Sequence, residues 1–208
     1  MKKIITEILN SKDFISSEEN FLSEGDLQFS LAKMFEKKCK KVILEYPIKA
    51  EELYKNSENI KGKNAYIDIY CEYKGTKYYI ELKHKTKKSE VIRHGIEFRL
   101  KDHNAYPDNR YSVYRDIERL EHIVLGKHSD KRVGYVLFLT NVGNYSKQHD
   151  ELPLTDKLKT YNKNKVVYER KPKLNIQNQY LCKWKPFKNH NGFQYLLIKI
   201  ENNKEIAK

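Results

Sequence analysis

The stretch that most constrains this 208-residue chain is residues 64 to 85, two strand-like runs divided by Lys74-Gly75. The first run reads Ala-Tyr-Ile-Asp-Ile-Tyr over 65 to 70 and the second Lys-Tyr-Tyr-Ile-Glu-Leu-Lys-His-Lys over 77 to 85. A two-residue loop at Lys74-Gly75 pairs Tyr73 with Thr76 and sets Asp68 directly opposite Glu81, with Lys83 on the same face two residues on. A loop at Gly75-Thr76 shifts the register by two and sets Asp68 opposite Lys83, still with all three groups on one face. A shift by one residue would scatter them, because every side chain of one strand changes face. The apolar pattern favours the even registers, which place Ile67, Ile69, Ile80 and Leu82 toward a core. The other face then holds Asp68, Glu81, Lys83 and Lys85 with Tyr66, Tyr70 and Tyr79. Opposed like charges destabilise a strand pair, so two facing carboxylates make physical sense with a divalent cation between them.

Around this hairpin the chain alternates helix and strand. Residues 23 to 40 read as a helix, with Ser23 as N-cap, Asp26 three residues on, and Leu27, Leu31, Met34 and Phe35 at helical spacing. Val42 to Ile48 is a strand candidate that stops near Pro47, and 50 to 63 a polar loop. Residues 86 to 107 suggest a short helix near 90 to 100. Tyr111 to Leu125 forms a helix with Tyr114, Ile117, Leu120 and Val124 on one face and Gly126 at its end. Val133 to Thr140 is a buried strand, 141 to 165 a loop with a short helix, and 178 to 184 and 193 to 200 further strands. This order predicts one α/β domain over 1–208, with helices covering both faces of a mixed central sheet. Its core spans about 20 to 140, and residues 141 to 208 add strands and loops without an assigned role.

Charge and composition narrow the function. Lys and Arg number 41 against 28 Asp and Glu, a formal net charge of +13, and hydrophobic residues make up 39%. This balance points to a polyanionic partner, of which DNA or RNA is the usual one. No run approaches ~18 apolar residues, so neither a membrane span nor a membrane partner is expected. The N-terminal residues read as a short amphipathic helix rather than a secretory signal. Cys39, Cys71 and Cys182 are odd in number and widely spaced, which argues against a disulfide framework or a thiolate zinc site and for a cytoplasmic location. A Gly-x-x-x-x-Gly-Lys phosphate loop and a Gly-x-Ser-x-Gly elbow are both missing. His103-Asn104 and His190-Asn191 lack the spacing of an HNH nuclease.

A helix with an acid, a strand with Asp, a strand with Glu-x-Lys, then helix and strand resembles the PD-(D/E)XK nuclease superfamily, the restriction endonuclease-like fold. The resemblance rests on Ser-Glu-Gly-Asp-Leu-Gln (23 to 28), Tyr-Ile-Asp-Ile-Tyr (66 to 70) and Tyr-Ile-Glu-Leu-Lys (79 to 83), and covers roughly 20 to 140. Asn109 to Glu121 is also similar to the helix that follows Glu-x-Lys in some such families. Ile67 stands where the motif's name has Pro, a departure shared by many members.

The resemblance implies a three-layer α/β/α core and Mg²⁺-dependent hydrolysis of DNA phosphodiesters to 5′-phosphate products, in defence, repair or recombination. Mn²⁺ is the expected substitute, since all donors are oxygens. Asp68 and Glu81, with the Leu82 main-chain carbonyl, would hold the ion. Lys83 would orient or deprotonate the attacking water. Glu24 is the expected helix acid, with Asp26 its competitor. Lys85 and Gln28 are candidate nucleic-acid contacts. Arg115 and Arg119 would clamp the backbone, unless they pair with Asp116, Glu118 and Glu121. His84 alternates toward the core as a structural group. A homodimer is compatible with this class. The alternatives are a non-catalytic nucleic-acid-binding protein on the same fold and an RNA-directed nuclease.

Overall fold

The computed structural model describes residues 5, 7, 8, 11, 21–49, 64–126, 128–146, 174–187 and 192–202. The central hairpin forms as β2 (Asn64–Tyr73) and β3 (Thr76–Lys85), with Tyr73 opposite Thr76 and Ile69 opposite Ile80. The Lys74-Gly75 register is therefore the one adopted. Lys74 (φ 48°) and Gly75 (φ 71°) are both left-handed, the geometry a two-residue hairpin loop demands.

The alternation expected along β2 fails at one point. Ile69, Ile80 and Leu82 share one core, but Ile67 packs in the other with Tyr70 and Tyr79. The cause is a local break across two strands. On β1 (Lys41–Lys49), Glu45 has φ 49°, and the β1–β2 pairing skips from Leu44↔Ile69 to Tyr46↔Ile67. The β2–β3 ladder also ends at Ile69↔Ile80. Asp68 thus sits where β2 leaves regular pairing. β1 runs through Pro47 rather than stopping there. It is an edge strand, where a missing N–H is tolerated.

The six-stranded sheet is mixed. Its order is β1-β2-β3-β6-β8-β7, with β6 at Lys131–Thr140, β7 at Trp184–Pro186 and β8 at Gln194–Glu201. β6 lies parallel to β3 and the other neighbours are antiparallel. The strand expected at 178 to 184 shrinks to the short β7, because residues 175 to 180 bond to Glu118 and Glu121 on the helix over Tyr106–Val124 instead. A 3₁₀ turn at Gly143–Ser146 follows β6. The expected loop over 50 to 63 lies outside the described residues, as does the loop expected over 141 to 165 from residue 147 on.

Each face carries a described helix. α1 (Glu24–Glu36) is capped by Ser23, whose Oγ accepts the Asp26 N–H at 3.1 Å. It buries Leu27, Leu31 and Phe35 against Ile69, Ile80, Leu82 and Leu137. Burial of each such side chain contributes ~1.5–3 kcal/mol. α2 (Tyr106–Val124) begins five residues before the expected start, with Pro107 in its first turn. It packs Val113, Ile117, Leu120 and Val124 against Val136, Phe138, Leu196 and Ile198. Gly134 on β6 permits the approach: a Cβ there would lie 3.2 Å from Leu120 Cβ and 3.3 Å from Ile200 Cβ.

Residues 89 to 100 are not helical. They form a second hairpin, β4 (Ser89–Arg93) with β5 (Ile96–Leu100), outside the main sheet. Its turn repeats the first one's chemistry, with His94 at φ 51° and Gly95 at φ 76°. Among the described residues no helix is long and apolar enough to cross a membrane.

Candidate active site at the end of the central hairpin

β3 continues past the point where β2 stops pairing with it. The Leu82 and His84 N–H groups on that side of β3 would be left without ladder partners. Two carboxylates take them. Asp68 Oδ2 accepts the Leu82 N–H at 2.5 Å, and Glu24 Oε2, from the first turn of α1, accepts the His84 N–H at 2.9 Å. Buried backbone donors demand such partners. The interrupted ladder thus brings Glu24 and Asp68 side by side on the strand that carries Glu81 and Lys83.

The opposite flank is built by α2. Lys83 Nζ lies 2.6 Å from Asp116 Oδ2 and donates to the Leu82 carbonyl at 3.0 Å. Asp116 Oδ1 takes Arg119 Nη2 at 2.5 Å. Arg119 Nε sits 3.0 Å from Glu81 Oε1, and its Nη1 donates to the Tyr66 carbonyl at 3.2 Å. The Arg119–Glu81 pair is close, but its angle falls outside hydrogen-bond geometry, so its attraction is chiefly ionic. The result is a continuous chain of alternating charge, Lys83–Asp116–Arg119–Glu81, with Asp116 wholly buried and Glu81 only 1% exposed.

Burial dominates the electrostatics. It pushes the Asp68 carboxyl up to about 6, against the pull of the Leu82 N–H and Lys83 and with a push from Glu24 and Asp116. Glu81 is held well above the usual carboxylate range, first by burial and then by Asp116, with Arg119 opposing. For Lys83, burial disfavours the charge, but Asp116, Glu24 and Glu81 outweigh it and hold the amine above its ordinary value. The Asp116 carboxylate beside it thus favours the charged form of the Lys83 amine.

The remaining expected residues divide. Glu24, not Asp26, faces β3. Asp26 Oδ2 accepts the Leu22 N–H at 3.0 Å and pairs with Arg93 at 2.7 Å. Lys85 Nζ stands 3.8 Å from Glu24 Oε2, at the site's edge. Gln28 does not point outward to a ligand: its Nε2 donates to the Asp68 carbonyl at 2.7 Å and to Glu45 Oε1 at 2.8 Å, bracing the strand break. Arg119 is drawn inward to Asp116, the pairing weighed against a backbone clamp, while Arg115 is exposed. Glu118 and Glu121 bind the backbone instead: Glu118 takes the Asn175 N–H, and Glu121 takes those of Gln177 and Asn178 with the Tyr180 hydroxyl. His84 is buried on the α1 face and stacked on Phe193 with centroids 6.0 Å apart. Burial, then His103 and Lys85, push it down to about 4. It is less satisfied than expected, since its Nε2 has no hydrogen-bond partner.

Asp116 is the site residue that the sequence reading did not select. Its signal was position: it lies three residues from Val113 and four from Leu120, on the buried stripe of α2.

The donor set suits a hard cation. It consists of carboxylates and one carbonyl, and the acids raise one another's affinity for positive charge. Asp68 and Glu24 each keep one carboxylate oxygen outside the two amide bonds described. Glu81 and the Leu82 carbonyl are engaged by Arg119 and Lys83. Among the described residues no three His, Cys, Asp or Glu side chains converge on one point.

Comparison with protein-family models, curated proteins and solved structures found no match to this chain.

Proposed function

We propose that this chain is a divalent-cation-dependent nuclease of the PD-(D/E)XK type, with the restriction endonuclease-like fold, that hydrolyses DNA phosphodiester bonds. One observation carries the reading. Glu24 and Asp68, separated in sequence and held on different elements, both cap β3 beside its Glu81 and Lys83. The helix on each face of a mixed sheet supports it further.

Asp68, Glu24 and Glu81, with the Leu82 carbonyl, are the groups that would hold Mg²⁺, or Mn²⁺ in its place. Such an ion supplies polarisation of the phosphate and a more acidic water at neutral pH. The chain's own residues do the rest. Lys83, kept charged by Asp116, stabilises negative charge as it builds on the phosphate oxygens. Arg119 restrains Glu81, and Gln28 restrains the backbone at Asp68. The net charge of +13 supplies sequence-independent, salt-sensitive affinity. The family resemblance implies 5′-phosphate ends.

Plasmid cleavage with added Mg²⁺ tests this. Asp68→Ala and Lys83→Ala should each lower the rate at least ~100-fold, the scale on which loss of one charge-stabilising group acts. DNA affinity should change by less than ~3-fold, because surface phosphate contacts carry it. Cleavage that survives both substitutions refutes the assignment.

The engagement of Glu81 by Arg119 and of the Leu82 carbonyl by Lys83 favours one alternative, a non-catalytic nucleic-acid binder. Binding without cleavage by the unaltered chain in Mg²⁺ or Mn²⁺ would decide for it. Parallel RNA substrates separate the RNA-directed reading.

A further inference from the structure

The β4–β5 hairpin is anchored by buried residues at its foot and carries its most exposed apolar side chains at its tip. At the foot, Leu100 is buried, Val91 packs against the α1-side core, and Thr86 Oγ1 donates to the Lys101 carbonyl at 2.6 Å. Arg93 ties the ribbon to Asp26 at the start of α1, two residues from Glu24. At the tip, Ile92 is 74% exposed and Ile96 59%, more than any other large hydrophobic side chain among the described residues. They flank the His94-Gly95 turn. The pairing Ile92↔Glu97 and Arg93↔Ile96 puts them on opposite faces of the ribbon.

That opposition selects the partner. A flat apolar surface can meet one face of a ribbon tip, not both. Two base pairs on either side of an opened step meet both. The foot adds charge complementarity. Lys87, Lys88 and Lys101 are exposed, with no ion pair among the described residues, and they continue from Lys85 at the edge of the site. Glu90 and Glu97 on the ribbon lie 3.5 and 3.7 Å from Arg99, which offsets their charge, and apolar side chains above basic ones are how proteins open a base step while gripping the flanking phosphates.

We propose that the β4–β5 hairpin is a wedge for duplex DNA. Ile92 and Ile96 enter a base step, and Lys87, Lys88 and Lys101 hold the adjoining phosphates. The choice of partner rests on the nuclease reading, but the test does not need cleavage.

The experiment uses the full chain carrying Asp68→Ala, without divalent ions, and duplexes with 2-aminopurine at successive positions. Binding should raise the fluorescence about 3-fold or more at one or two neighbouring positions, as unstacking does. Ile92→Thr with Ile96→Thr keeps the β-branched shape and should abolish that rise. Lys87→Gln, Lys88→Gln and Lys101→Gln together should lower the salt-dependence slope by about 2 to 3. No fluorescence rise, or a rise that persists in the double threonine variant, overturns the wedge. So does a DNA-free dimer that the threonine pair dissociates while the fluorescence rise stays intact, which would assign the tip to a second copy. A chain that unstacks DNA yet never cuts it would refute the nuclease reading alone, and a chain that cuts without unstacking would refute the wedge alone.

Discussion

Asp116 has no exposure to water, yet it joins two cations that each hold a candidate catalytic group. Deleting one partner of a buried ion network is costly because the others remain buried without their counter-charge. Asp116→Ala should therefore cost ~3–5 kcal/mol, read from urea unfolding. A cost below ~1 kcal/mol would mean that water reaches the network and screens it. At this scale strand alternation about a short turn picked out Asp68, Glu81 and Lys83, and the family resemblance picked out Glu24. The Arg119–Asp116 pair was the weighed alternative to a clamp, but the burial of Asp116 against Lys83 was not legible. A run such as Arg-Asp-Ile-Glu-Arg looks like a solvated helix face until the packing partner is known. Only then does Asp116 fall on the buried side and Arg115 on the wet one.

The elements divide in the same way. The hairpin at 64 to 85 was legible as two strands and a turn, but two even registers, with the loop at Lys74-Gly75 or at Gly75-Thr76, stood open until Tyr73 was seen opposite Thr76. The hairpin at 89 to 100 was missed, although His94-Gly95 uses the same left-handed geometry. Its apolar residues lie on both faces of the ribbon, so alternation gave no clear period. α2 is the element on which the site depends most, and Gly134 sets its distance from the sheet. A side chain at 134 must displace Leu120 or Ile200. Gly134→Val should destabilise by ~2–3 kcal/mol through overpacking. By lifting α2 it should also lower cleavage more than it lowers DNA affinity. Equal losses in both would show that the helix does not position Lys83.

For the whole molecule, the candidate site leaves a signature in the pH dependence of stability. The fold keeps a proton on Asp68 up to about 6, whereas an unfolded chain releases it near its ordinary value of 3.8. Between those values the folded state binds more protons than the unfolded one. Stability is therefore lost as pH rises through the window, and the loss is complete above it. Two pKa units set a ceiling of about 3 kcal/mol, and partial exposure of Asp68 lowers it to ~1–2. Comparison of wild type with Asp68→Asn by urea unfolding should show the asparagine variant gaining that margin between pH 4 and 6. Curves that run parallel across this range would place the Asp68 titration elsewhere. The difference measurement also removes the opposing contribution of His84. That ring, pushed down to about 4, makes a contribution that is lost as pH falls from about 6.5, where the unfolded ring takes its proton. By itself the sequence determined the two strands, the turn between them, the choice of an even register across it, and the basic balance of the surface. Each follows from geometry within a few residues or from composition. Tertiary structure alone decided that β2 breaks at Asp68, that Glu24 takes the vacated N–H of His84, and that α2 buries a carboxylate against Lys83. Those outcomes depend on which segments meet and on how much water their meeting excludes, and neither quantity is written in local spacing.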